Sequence, residues 1–104
     1  MRKSKMREYQ AYEPVTVRDS EGGLNVKYEP LKMICAEIWP ATGRMQAEMY
    51  GLRLAYIKNM LTNFNNEVAE GMALSIENPL TPDYKIISKK KYSRHIQYEL
   101  ERLI

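Results

Sequence analysis

A chain of 104 residues is the size of one domain. Its 16 Lys and Arg against 13 Asp and Glu leave a net charge of +3, milder than the dense charge of a dedicated nucleic-acid binder, and its 44% hydrophobic and 28% charged residues are ordinary for a globular protein. Cys35 is the only cysteine, so no intrachain disulfide exists and a reducing compartment fits; the first residues lack the apolar core of a signal peptide, and no apolar run approaches the roughly 18 residues of a membrane-spanning helix.

Met1 to Gln10 is charged and unpatterned, with Arg2, Lys3, Lys5 and Arg7, and is expected to be a flexible basic arm ahead of a domain covering residues 11–104. In Tyr12 to Arg18, Val15 and Val17 alternate with Thr16 and Arg18, the pattern of a half-buried strand, with Pro14 at its start. Asp19 to Gly23 is a turn cluster, and Gly22-Gly23 supplies the positive φ of a tight reversal; no Gly-x-Gly-x-x-Gly or Gly-Lys-Ser/Thr surrounds it. Leu24 to Tyr28 extends a short strand that Pro30 is expected to interrupt. Leu31 to Trp39 reads as a strand, with Ile34, Ala36 and Ile38 on one face and Met33, Cys35, Glu37 and Trp39 on the other, ended by Pro40.

Thr42 to Tyr50 reads as a short helix with Thr42 as N-cap and Gly51 after its end; Met45 and Met49, spaced i and i+4, form a narrow apolar stripe suited to packing on a neighbour. Leu52 to Leu61 fits strand or helix. Thr62 to Gly71 is expected to be a mobile hydrophilic loop, Met72 to Ile76 a short strand, Asn78 to Pro82 a loop, and Tyr84 to Ser88 a strand. Arg94 to Leu103 is equally good as a strand, with Ile96, Tyr98 and Leu100 on one face, or as a helix grouping Ile96, Leu100 and Leu103.

Few residues offer chemistry. His95 is the only histidine and has no nucleophile beside it in sequence; Cys35 lies in an apolar strand. One Cys and one His are too few for a closed zinc site, and no cofactor is expected. Glu99 and Glu101 share one side of a strand and read as a solvated face or an ion-pairing edge. Tyr84, Tyr92 and Tyr98 bracket Lys89 to Lys91, which suits the binding face of a small OB-like nucleic-acid module; the plainer reading is a tyrosine-rich β core with hydroxyls at the rim.

Four segments together resemble a known family. Pro-Asp-Tyr-Lys-Ile-Ile-Ser at 82–88, then Tyr-Ser-Arg-His at 92–95 and Tyr-Glu-Leu-Glu at 98–101, is similar to the C-terminal signature of the head-tail joining, or head-closure, proteins of the tailed-bacteriophage neck, sometimes labelled minor capsid proteins. Ala36 to Pro40 leading into Thr42-Gly-Arg44 resembles the family's strand, proline and short helix; Tyr50 to Met60 resembles its next strand, and Gly22-Gly23 its first hairpin. The resemblance implies a mainly β, small antiparallel barrel-like domain with one short inserted α-helix at about residues 42–50. It resolves Arg94 to Leu103 as a strand, paired with Tyr84 to Ser88 across a lysine turn.

The resemblance also implies a non-enzymatic virion component, made in the host cytoplasm and located in the virion neck. It would form a homo-oligomeric ring between the portal or adaptor complex and the tail, closing the DNA-filled head, with DNA passing through the lumen without sequence-specific binding and no membrane involved. A monomer in isolation fits this role, because such rings form on their partners. Met45, Met49, Phe64, Asn65 and Asn66 are the candidate subunit or partner contacts.

Overall fold

The computed structural model describes residues 6–103. Six antiparallel strands close into a barrel: β1 (Arg7–Arg18), β2 (Leu24–Pro40), β3 (Ile57–Thr62), β4 (Ala73–Leu74), β5 (Tyr84–Lys91) and β6 (Ile96–Arg102), in the order β1-β2-β3-β6-β5-β4 and back to β1. Closure removes the open edges that an isolated sheet of this size would present. A helix, α1 (Arg44–Tyr50), followed by a 3₁₀ segment, Gly51–Tyr56, is inserted between β2 and β3.

The interior follows from alternation. Ile96, Tyr98 and Leu100 of β6 are buried, and Gln97, Glu99 and Glu101 between them face outward, so this segment is the strand and not the helix. Ile34 and Ala36 of β2, Met60 of β3, Leu74 of β4, and Tyr84 and Ile86 of β5 complete the core. The Tyr98 hydroxyl lies 2.9 Å from Thr62 Oγ1 and accepts from the Val68 amide at 3.2 Å, so the one phenol at the centre of the core is satisfied. The tyrosine-rich core with hydroxyls at the rim is also found at Tyr12, whose hydroxyl meets Ser75 Oγ, and at Tyr84, which donates to Glu77.

Several boundaries differ from the sequence expectations. The arm expected to reach Gln10 stops earlier: β1 begins at Arg7, and Arg7 to Gln10 pair with Ala36 to Met33. Polar residues are tolerated there because the strand faces water on one side. The part of the arm at 1–5 lies outside the described residues. Pro30 does not interrupt β2. It sits opposite Tyr12, where the β1–β2 register slips, with Leu31 the extra residue, and a bulge is the place in a ladder where a missing N–H costs least.

Thr42 is not the N-cap; Gly43 is, without a side-chain hydrogen bond, and Gly51 takes φ 56° at the helix end as a glycine can. The stretch Leu52 to Leu61, open between strand and helix, divides: Gly51–Tyr56 continues the insert as 3₁₀, and the strand starts at Ile57. Lys89 to Lys91 are not a turn: β5 runs through them, and the reversal is Tyr92 to His95, closed by the Tyr92 amide on the His95 carbonyl at 2.8 Å.

Thr62 to Gly71, expected to be a mobile loop, is fastened at both ends. Thr62 and Val68 are buried, Phe64–Asn66 is a 3₁₀ turn, and the Asn66 side chain accepts from the Cys35 amide at 3.0 Å, covering an edge of β2 that β3 does not reach. Glu67 lies 2.6 Å from Lys89 and 2.8 Å from Lys91; these two ammonium groups hold its carboxyl down at about 2. Farther along, the Asp83 carboxylate accepts three amides, those of Ile76, Glu77 and Asn78, at 2.7 to 3.1 Å, and so folds the proline loop back onto the barrel. Asp83 is thereby a structural clasp.

Candidate protein interface

The inserted helix is the part of the molecule whose attachment needs explaining. None of its residues is buried. A seven-residue helix is unstable alone, so contacts with the barrel must hold it. Those contacts are polar. Gln46 Nε2 donates to Asn59 Oδ1 and to Glu99 Oε2, both at 2.7 Å, and Asn59 Nδ2 donates back to Gln46 Oε1 at 3.1 Å. The Tyr50 hydroxyl donates to Glu99 Oε1 at 3.0 Å. One turn on, Arg53 grips Glu101 with Nε and Nη2 at 2.8 and 2.7 Å, a bidentate pair.

Gln46, Tyr50 and Arg53, at i, i+4 and i+7, are therefore the stripe that meets the outer face of β3 and β6. Burial and the Glu99 carboxylate push the Tyr50 hydroxyl above its usual pKa, and Arg53 holds Glu101 below the carboxylate range. Glu99 and Glu101 are thus engaged within the chain: Glu101 forms an ion pair with Arg53, and Glu99 accepts from Gln46 and Tyr50.

A helix held by its polar stripe turns its apolar stripe outward. Met45 is 79% exposed, Met49 69% and Leu52 97%. Beside Met45 and Met49 a groove of about 300 Å³ runs along the outer face of the β5–β6 hairpin, where Ser88, Lys90, Tyr92, Gln97 and Glu99 line it. The Tyr92 ring stacks on His95 at a centroid distance of 5.0 Å, which stiffens the far end of that lining.

The other expected contacts lie elsewhere. Phe64 and Asn65 are exposed beyond the opposite end of β3, and Asn66 is committed to the Cys35 amide and to Asn63. The structure does not gather these with Met45 and Met49 into a single patch. Of the residues expected on a nucleic-acid face, Tyr84 and Tyr98 are interior and Lys89 is half-buried against Glu67, while Lys90, Lys91 and Tyr92 are exposed, Lys91 also paired with Glu67. Cys35 is half-buried in β2 and His95 packs on Tyr92 at the β5–β6 turn; among the described residues no group of three His, Cys, Asp or Glu gathers as metal ligands. No helix of the described residues is long and apolar enough to cross a membrane.

Sequence reasoning placed Met45 and Met49 on one stripe of the helix but missed the stripe that orients them. The signal was present in the spacing of Gln46, Tyr50 and Arg53 opposite the alternation of Glu99 and Glu101, and becomes readable only once the pairing of helix and strand is known.

No family model matches the chain, and no curated protein matches it. Among solved structures, the chain is similar to the protein SF1141 of Shigella flexneri 2a, known from its solution structure: the match covers 98% of this chain and 96% of that one, with a TM-score of 0.66 and 13% identity. At that identity the likeness is one of fold.

Proposed function

We propose that this chain is a structural, non-catalytic component of a tailed-phage neck, which joins the head's portal or adaptor complex to the tail and helps to close the DNA-filled head. The observation that carries the reading is the outward apolar face of α1. Met45 and Met49 on α1, and Leu52 on the 3₁₀ segment after it, stand in water while the polar residues of the insert face the barrel, and exposed apolar groups brought together mark a site for another protein. The segments that resemble neck proteins support the same reading, since they map onto the end of β2 leading into α1 and onto the β5–β6 hairpin beneath it. Partners on this reading are further copies of the chain, a portal or adaptor protein and a tail protein; DNA passes without sequence-specific contact.

Deleting the gene from the phage or prophage that carries it tests the proposal. The expected result is DNA-filled heads that leak or lack tails, together with neighbouring genes for a portal, a major capsid protein and a tail protein. Sealed heads with tails attached normally, or a gene placed among metabolic or repair genes, would overturn it.

A further inference from the structure

The β5–β6 hairpin reverses through Lys89-Lys90-Lys91-Tyr92-Ser93-Arg94-His95, seven residues with four cations and no carboxylate, while the whole chain carries only +3. The backbone there is ordered. β5 continues to Lys91, and the Tyr92 amide closes the turn on the His95 carbonyl. Lys89 and Lys91 lie opposite Tyr98 and Ile96, and Lys90 lies opposite Gln97, so the lysines alternate between the two faces of the hairpin, with Arg94 in the turn. Lys90, Lys91 and Arg94 are exposed.

Two carboxylates stand against these lysines. Glu67 meets Lys89 and Lys91 with the same oxygen, Oε2, and Lys32 Nζ donates to its main-chain carbonyl at 2.9 Å, so three ammonium groups crowd one carboxylate. Glu99 lines the groove beside Lys90 but already accepts from Gln46 and Tyr50. Among the described residues Lys90 and Arg94 form no ion pair, and neither Glu70 nor the opposed Glu13 and Glu29 of β1 and β2 pairs with any of these cations. Positive charge is therefore left over at this end of the hairpin.

Uncompensated cations on a rigid turn attract a polyanion, and the apolar content of the turn selects which. Tyr92 is the one large apolar side chain exposed there, and His95 covers a face of its ring. The turn thus lacks the aliphatic face that an element lying in a lipid surface buries, and the row of open rings on which single-stranded bases stack. A duplex phosphate backbone asks for neither. Its closely spaced charges suit cations standing on both faces of a narrow hairpin, and lysine is a point charge that does not read bases.

We propose that the β5–β6 turn holds the phosphate backbone of double-helical DNA through Lys90, Lys91 and Arg94, without regard to sequence. The contact goes beyond the neck reading and does not rest on it. Its test uses purified chain, so either can fail while the other stands.

The test is fluorescence anisotropy of a labelled short duplex of mixed sequence, titrated with the natural chain, with K90Q/R94Q, and with K85Q/R102Q, which removes the same charge at the other end of β5 and β6. All four residues are exposed and outside the ion pairs of the described residues, so both variants should fold, which circular dichroism checks. The natural chain should bind with a Kd of about 0.1 mM at physiological salt, and log K should fall with log salt at a slope of about −3, for three phosphates. K90Q/R94Q should bind about tenfold more weakly with a slope of about −1, and K85Q/R102Q should stay within about threefold of the natural chain. In NMR spectra of the natural chain, the amides of residues 89–95 should shift first as duplex is added. No binding up to about 1 mM chain, equal weakening by both variants, tighter binding of a single strand or of anionic lipid vesicles, or shifts confined to residues outside the turn would each overturn the inference.

Discussion

The two faces of β6 are held to the rest of the molecule by different physics. Inward, Ile96, Tyr98 and Leu100 are sealed among aliphatic side chains with one satisfied hydroxyl. Outward, Gln97, Glu99 and Glu101 meet water; Glu99 holds α1 and Glu101 the 3₁₀ segment after it through oriented hydrogen bonds. Burial is non-directional and stabilises the barrel whatever the details of its rim. A polar anchor specifies orientation at little net gain, because each bond replaces one to water. The helix contributes little to stability, then, and a great deal to what the surface displays: with Gln46 and Tyr50 turned to β3 and β6, Met45 and Met49 must point out.

The largest effect should come from the inner face. Leu100→Ala removes a fully buried side chain where β3 and β5 both pair, and a cost of about 2–5 kcal/mol is expected by chemical denaturation. In a domain whose total stability is of order 10 kcal/mol this is a severe loss.

Glu99→Ala on the outer face should cost less, about 1–2 kcal/mol, for two donors left without their carboxylate. Hydrogen exchange distinguishes the two faces. In the Glu99 variant the amides of α1 and the 3₁₀ segment should lose protection while those of β5 and β6 keep theirs. An unchanged helix would mean that the anchor is elsewhere.

Glu67 extends the contrast to the barrel rim, where an ion pair fastens a loop. Its carboxyl, ordinarily near 4.5, is held at about 2 by Lys89 and Lys91. A depressed carboxyl stabilises the fold above the unfolded value and ceases to do so as pH falls through the folded one, so stability should decline between about pH 4.5 and 2. The pair is partly open to water and the effect small, weaker still in salt. Glu67→Gln should flatten that part of the pH profile in urea titrations. An equally steep profile would assign the loss to other carboxylates.

The smallest effect on stability, within about 0.5 kcal/mol, is expected for Met45→Asp with Met49→Asp, since both side chains already stand in water. The same pair of substitutions should have the largest effect on assembly.

How much of this was legible in the sequence depended on which force dominates. The core face of β6 was readable in Ile96, Tyr98 and Leu100, because burial imposes a period of two, but the same residues also fitted a helix, and the pairing of β6 with β3 and β5 decides for the strand. The insert was readable as a helix at about the right place. Its docking was not, because a polar stripe of Gln46, Tyr50 and Arg53 on an exposed helix looks like any solvated face until Asn59, Glu99 and Glu101 are brought opposite it. Local signals misled where tertiary context won. Pro30 was absorbed at a bulge, three lysines stayed in a strand because Glu67 neutralises two of them, and the polar segment 62–71 became an edge cover through Asn66 and Val68.

If α1 presents Met45 and Met49 to a protein partner in a phage neck, blunting those two side chains must disable the particle without disturbing the fold. The direct check is complementation of the gene deletion with the M45D/M49D chain, after its NMR spectrum has been shown to match that of the natural fold. The expected outcome is a folded protein that fails to restore tailed, infectious particles where the natural chain does. Full restoration of infectivity by the variant would rule that role out.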